Sequence, residues 1–211
     1  MSRNEGSMIF IGKGYMYNVF DLGNGRVLKA EKTLRQKLID TYFYEGCDVR
    51  NYLKALAHLM NKKRAIEINR YVQLHVDPEI VGHPTFLEGI NYEQDKVELL
   101  ADVLARLDLA GRKQMVDLYI ENILKCWENG FSDTVFNFTI NNGLGQNDQI
   151  VLIDFNEIVT SREETEKRIL TNRWLQSWTY QQLEPVLRRY YREKMDEIVT
   201  LDTLNKHWQD H

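Results

Sequence analysis

An α+β fold in two lobes, an antiparallel β-rich first lobe and a mainly helical second lobe, is what three features of the sequence predict. The first thirty residues alternate short β-rich runs with glycine turns, the stretch after Leu34 carries apolar residues at helical spacing, and the chain from Arg162 onward is helical and densely charged. With 211 residues, 43% of them hydrophobic, the chain can bury a substantial core in one large domain or two small lobes. The spacing of the elements puts the boundary after residue 98, giving lobes 1–98 and 99–211.

The opening runs "SMIFIG", "YNVFDLG" and "RVLKAE" read as a meander, with the turn "GNG" at Gly23–Gly25 between the last two. From about Leu34 to Leu74 the pattern is helical until "VDPEIVGHPTF" breaks it with two of the chain's three prolines. "PTFLEGINYEQDKVELL" predicts a hairpin about Gly89 that feeds a connector near Glu98. A helix is expected from about Arg112, where Val116, Tyr119, Ile120, Ile123, Leu124 and Trp127 make an apolar stripe ending in the cap-like "ENG". The runs "NFTI" and "QIVLIDF" are expected as paired strands around "NNGLGQND". Beyond them Pro185 fits the first turn of a helix, and Trp174 and Trp178, one turn apart, read as packing residues.

Charge and composition narrow the function. A net charge of −4 with interspersed signs gives no field for nucleic acid. Cys47 and Cys126 lack metal or redox spacing, and the five histidines show no paired ligand pattern, which sets zinc chemistry aside. The start "MSRNEGSMIFIG" lacks the build of a signal peptide and no apolar run reaches the ~18 residues of a membrane span, so a cytoplasmic protein is expected.

The chemistry-bearing residues follow one order along the chain. Gly12 and Gly14 lie between two predicted antiparallel strands, which excludes both a Walker A loop and a dinucleotide fingerprint but suits a lid whose backbone approaches phosphates. Lys29 sits on the next strand, where a cation can reach phosphates under such a lid. Asp133, Asn137 and Asp154 surround one predicted hairpin, and pairing of its strands brings Asn137 near Asp154, two oxygen donors able to share a magnesium ion.

With these residues the sequence, from about Ile9 to Glu157, resembles the protein-kinase-like superfamily in its compact bacterial branch, alongside aminoglycoside phosphotransferases and small lipopolysaccharide-kinase-like proteins. The resemblance implies a bilobal fold using ATP and magnesium. Gly12 and Gly14 match the nucleotide lid, Val19 the valine over the base, Lys29 the phosphate-binding lysine, and Glu67 the helix glutamate that pairs with it. Backbone groups near Gln94–Val97 would meet the adenine, Asp133 would be the catalytic aspartate, and Asn137 and Asp154 the metal ligands.

Departures keep alternatives open. Tyr17 replaces the third lid glycine, Phe131 and Ser132 replace the histidine and arginine before the aspartate, and Asn156 replaces the glycine of Asp-Phe-Gly. Asp133 precedes Asn137 by four residues where the family has five, so an asparagine-anchored register puts Ser132 at the catalytic position. Glu45 is a second candidate partner for Lys29. The leading expectation is phosphotransfer from ATP to an unidentified hydroxyl-bearing substrate. The alternatives are a nucleotide-binding pseudokinase whose charged C-terminal helices recruit a protein partner, and an unrelated interaction domain in which Asp154 is only a cap.

Overall fold

The computed structural model describes residues 8–14, 16–45, 53 and 62–211, with the side chains of 41–45 excepted. The chain forms two compact units, Met1–Gln73 with His83–Lys96, and Leu74–Gly82 with Val97–His211. A single boundary after residue 98 does not provide for Leu74–Gly82, which the break at Pro78 turns out of the preceding helix and into the second unit. There Ile80 and Val81 are buried, and the Leu152 N–H bonds the Ile80 carbonyl at 2.8 Å.

In the first unit β1 (Ile9–Lys13), β2 (Tyr17–Asp21), β3 (Arg26–Glu31), β4 (Thr85–Phe86) and β5 (Tyr92–Asp95) make one antiparallel sheet in the order β1-β2-β3-β5-β4. The β2–β3 turn needs its glycines, since Gly23 and Gly25 have φ of 74° and 78°. Asp21 fixes that turn by accepting the Gly23 N–H at 2.8 Å. Gly89, at φ 74°, makes the predicted turn between β4 and β5. Helices α1 (Leu34–Glu45) and α2 (Lys62–His75) belong to this unit apart from the last two residues of α2, which fall in the second; α2 buries Ala65, Ile68, Asn69 and Val72.

In the second unit the helices α3 (Leu100–Arg106), α4 (Leu109–Glu128), α5 (Arg162–Leu170), α6 (Trp178–Gln182), α7 (Pro185–Ile198) and α8 (Leu201–His207) surround one apolar core. α4 starts three residues before the expected Arg112 because the Asp108 carboxylate accepts the Gly111 N–H at 2.8 Å and caps it. Val116, Tyr119, Ile120, Ile123 and Trp127 form its buried stripe, and Pro185 opens α7 as the sequence indicates. Among the described residues no helix is long and apolar enough to cross a membrane.

Two small ladders complete this unit. β7 (Ser132–Asp133) pairs with β10 (Ile158–Val159), and β6 (Glu98–Leu99), β8 (Asn142–Leu144) and β9 (Ile150–Leu152) form a three-stranded sheet in the order β6-β8-β9. The expected strand "NFTI" is a turn instead. Phe136 takes φ 52°, the Phe138 N–H bonds the Phe136 carbonyl at 2.9 Å, and both rings reach the core. Asn142 therefore opens the strand, opposite Leu152. Gly143 permits the close approach of β6, since a Cβ there would lie 2.8 Å from the Glu98 carbonyl oxygen and 2.3 Å from Val97 Cγ2.

Candidate functional site

The first unit holds the candidate lid and the lysine strand. Gly12 pairs with Val19 just after an irregularity in the β1–β2 ladder, and Val19 in turn lies opposite Lys29. A Cβ at Gly12 or Gly14 would meet nothing within 4 Å among the described residues, and neither glycine has positive φ. Neither packing nor backbone strain therefore demands glycine there, which leaves close approach by an outside group as a physical reason for it.

Lys29 is 7% exposed, with Nζ 5.4 Å from the centre of the Tyr92 ring on the neighbouring strand. The expected pairing with Glu67 is corrected: Glu67 lies on the exposed face of α2, 3.8 Å from Lys63 one turn away. The helical period that buries Ala65, Ile68 and Val72 turns Glu67 to solvent. The side chain of Glu45 lies outside the described residues. Gln94 is buried on β5 opposite Val27, while Val97 belongs to the second unit beside Gly143.

Sequence reasoning missed a charged clamp on the lid. Asp40 bonds Lys13 at 2.6 Å and Lys32 at 2.5 Å, and Lys32, whose side chain is fully buried, also donates to the Gly14 carbonyl. The only available signal was helical placement of Asp40 on the face that returns to the lid. The bonds from Lys13 and Lys32 hold the Asp40 carboxyl below its ordinary value, so its contribution to stability is present above about pH 4 and is lost as pH falls through the lowered value. Asp40→Asn should cost about 3 kcal/mol at neutral pH, because it leaves the buried Lys32 ammonium without its counter-charge. Urea unfolding should show that difference shrinking towards pH 3, and a variant as stable as wild type would rule out the clamp.

The second unit holds the loop 134–141 between β7 and β8, and the residues that follow β9. Asp133 Oδ1 accepts the Val135 N–H at 2.9 Å. Burial pushes its carboxyl up from 3.8 to about 6, opposed by N–H groups of Val135, Phe136 and Asn137 and reinforced by the charge of Asp154. Asp133 Oδ2 and Asp154 Oδ1 are both buried without a hydrogen-bond partner. Tyr119, Cys126 and Tyr191 lie within electrostatic reach of Asp133, and burial raises all three. Ser132 is buried in β7 opposite Val159.

Asn137 Oδ1 accepts the Ser177 hydroxyl at 2.9 Å. Asn141 continues the ladder opposite Ile153, one residue before Asp154. Its carbonyl accepts the Ile153 N–H at 2.8 Å and its amide donates to Glu157 at 3.0 Å. Reading the turn instead of "NFTI" as the strand would have exposed this. Among the described residues no cluster of three or more His, Cys, Asp or Glu is built to hold a metal. The partnerless Asp154 oxygen does fit a hard cation bound by few protein ligands, as magnesium commonly is, and the partnerless Asp133 oxygen fits a proton.

No protein-family model matches the chain, and no curated protein matches it. Among solved structures it is similar to the co-crystal structure of WbdD with the kinase inhibitor LY294002, at 14% identity over 89% of this chain and 45% of that one, with a TM-score of 0.47. It is also similar to the medium-resolution structure of the bifunctional kinase-methyltransferase WbdD, at 16% identity over 86% of this chain and 43% of that one, with a TM-score of 0.43. The chain spans less than half the length of either.

Proposed function

We propose that the chain is a kinase-like phosphotransferase that moves the γ-phosphoryl group of ATP, with magnesium, to a hydroxyl acceptor. The observation that carries the reading is the pair of buried carboxylate oxygens without partners, Asp133 Oδ2 and Asp154 Oδ1. Two buried, mutually repelling carboxylates are costly unless a cation or a proton compensates them, and here Asp133 closes β7 while Asp154 follows β9. The lid glycines, which nothing in the described fold requires, support it independently.

Lys29 would bind the α/β-phosphates, with Gly12 and Gly14 letting the lid backbone lie close above them and Val19 covering the base. Backbone groups of Gln94–Val97 would hold the adenine. Asp154 and Asn137 would hold magnesium, which would supply charge neutralisation on the phosphates, and Asn141, bonded to the Ile153 N–H, would fix the chain leading into Asp154. Asp133, raised to about 6, suits a base that takes the acceptor hydroxyl proton near neutral pH. The acceptor oxygen bonds to the γ-phosphorus, the bond from that phosphorus to the β–γ bridging oxygen breaks, and ADP leaves. The engagement of Asn137 Oδ1 by Ser177 favours one second reading, nucleotide binding without transfer.

Thermal unfolding with and without ATP and magnesium tests the reading. Magnesium should add to the ATP-dependent rise in Tm for the wild type, and Asp154→Ala should remove that added part while leaving the protein folded. A wild type indifferent to millimolar ATP and GTP with magnesium would sink the phosphotransferase reading.

A further inference from the structure

A cavity of about 240 Å³ lies within the second unit, lined by the segment Leu74–Gly82, the C-terminal half of α4 and the start of β9. Asp133, Asn137 and Asp154 are not in its lining. Ile80, Ile150 and Asn122, which are 5%, 4% and 6% exposed, give it a buried floor, and Asp77, Glu79 and Glu128 are exposed lining residues at its mouth.

Two of the three amides in the lining are engaged by the protein. Asn129 Oδ1 accepts the Asp77 N–H at 2.7 Å while its amide donates to the Lys125 carbonyl at 2.9 Å, and Gln149 Oε1 accepts the Asn147 N–H at 3.0 Å. The third, Asn122, makes no side-chain hydrogen bond among the described residues, although it is nine-tenths buried and faces the cavity. A buried amide that the protein leaves unmatched is costly unless something in the cavity meets it.

Charge decides what that is. Three carboxylates in the lining outnumber one ammonium, that of Lys125, which disfavours an anion. Asp77 uses one oxygen on the Glu79 N–H at 3.0 Å, and Glu128 uses one on His207 Nδ1 at 2.7 Å, so each keeps a second oxygen for an incoming cation. Among the described residues no three His, Cys, Asp or Glu side chains converge as a metal needs, so these acids stand too far apart to share one ion. A cation whose charges are themselves set apart meets them separately. We propose that the cavity binds a small aliphatic polyamine, with ammonium ends on the carboxylates, a methylene stem over Ile80 and Ile150, and one N–H donated to Asn122 Oδ1. The proposal does not depend on the phosphotransferase reading, and the ligand bridges Leu74–Gly82 to α4.

Isothermal titration of the whole chain with spermidine tests this, without nucleotide because polyamines themselves bind ATP. Spermidine should saturate a single site with a Kd tighter than about 1 mM. Butylamine, with one ammonium on a similar stem, should bind roughly tenfold more weakly, and magnesium chloride at matched ionic strength should not displace spermidine. Asn122→Leu should weaken spermidine by about tenfold, because it sets an apolar group against an ammonium. Glu79→Gln, a change at an exposed position that leaves the core alone, should weaken it by about threefold, the size of one exposed ion pair, and carries the test if Asn122→Leu does not fold. No saturable binding, displacement by magnesium, or unchanged affinity in the folded variants would overturn the site. Tighter binding of trilysine than of spermidine would overturn the small ligand in favour of a basic stretch of protein.

Discussion

Asp133→Asn should make the protein more stable at pH 7 and nearly inactive. In the folded state the carboxyl is raised from 3.8 to about 6, chiefly by burial, so the native protein holds its proton over a window in which the unfolded chain has lost it. Stability therefore falls as pH rises from about 4 to about 6, and ionised Asp133 costs on the order of 3 kcal/mol above that window. The groups facing it are Asp154, Tyr119, Tyr191 and Cys126, none of which supplies a positive charge. Asparagine keeps the oxygen that accepts the Val135 N–H and replaces the repulsion towards Asp154 with an amide donor. Urea titrations at several pH values should show a higher midpoint for the variant at neutral pH and a flatter dependence between pH 4 and 6. Phosphoryl transfer, or background ATP hydrolysis, should drop by roughly 10²–10⁴, as expected for loss of a positioned base. A variant that is both less stable and equally active would reject both roles, and a damaging Ser132→Ala beside a harmless Asp133→Asn would move the catalytic position by one residue.

Lys29→Met should abolish most of the stabilisation by ATP. A ligand present at about a hundred times its Kd adds roughly 2.7 kcal/mol to the folded state, and a buried ammonium on the phosphates is the interaction the lid side of the site can least replace. Methionine has nearly the volume of the lysine stem and packs well against an aromatic ring, so the ligand-free protein should stay folded over Tyr92. Lys29→Arg should not rescue binding, because a planar guanidinium does not place its charge as a compact ammonium does at a buried position. Equal ATP-dependent shifts in wild type and Lys29→Met would remove Lys29 from the site.

What the sequence discloses here is mostly local. Gly23 and Gly25 announce their turn because only glycine takes that backbone cheaply, and Pro185 marks a helix start because its missing N–H is not needed there. The strands of the first unit and the long stripe of α4 follow from periodicity. α3 was hidden because it is only seven residues long and runs up to the Asp108 cap of its successor. The loop 134–141 misled for a physical reason: Phe136 and Phe138 alternate with polar residues as a strand would, yet are buried by a turn with Phe136 at positive φ. Glu67 was chosen by type and order, and burial of its helix neighbours turns it away from Lys29. Partnerships across longer sequence separations, such as Ser177 with Asn137 or Lys32 with Gly14, leave no periodic trace.

The membership of Leu74–Gly82 in the second unit bears on how the chain is made. Synthesis proceeds from the N-terminus, so this segment emerges before the β4–β5 hairpin that completes the first sheet and well before β9, whose Leu152 N–H it receives. Neither unit is a continuous length of polypeptide. Until the ribosome has passed residue 152, the buried pair Ile80 and Val81 must wait without its final partners while the first unit closes around the gap in its own sequence. Cutting the gene after residue 98 would divide the second unit rather than separate two self-sufficient parts, and its two halves would have to find each other by complementation.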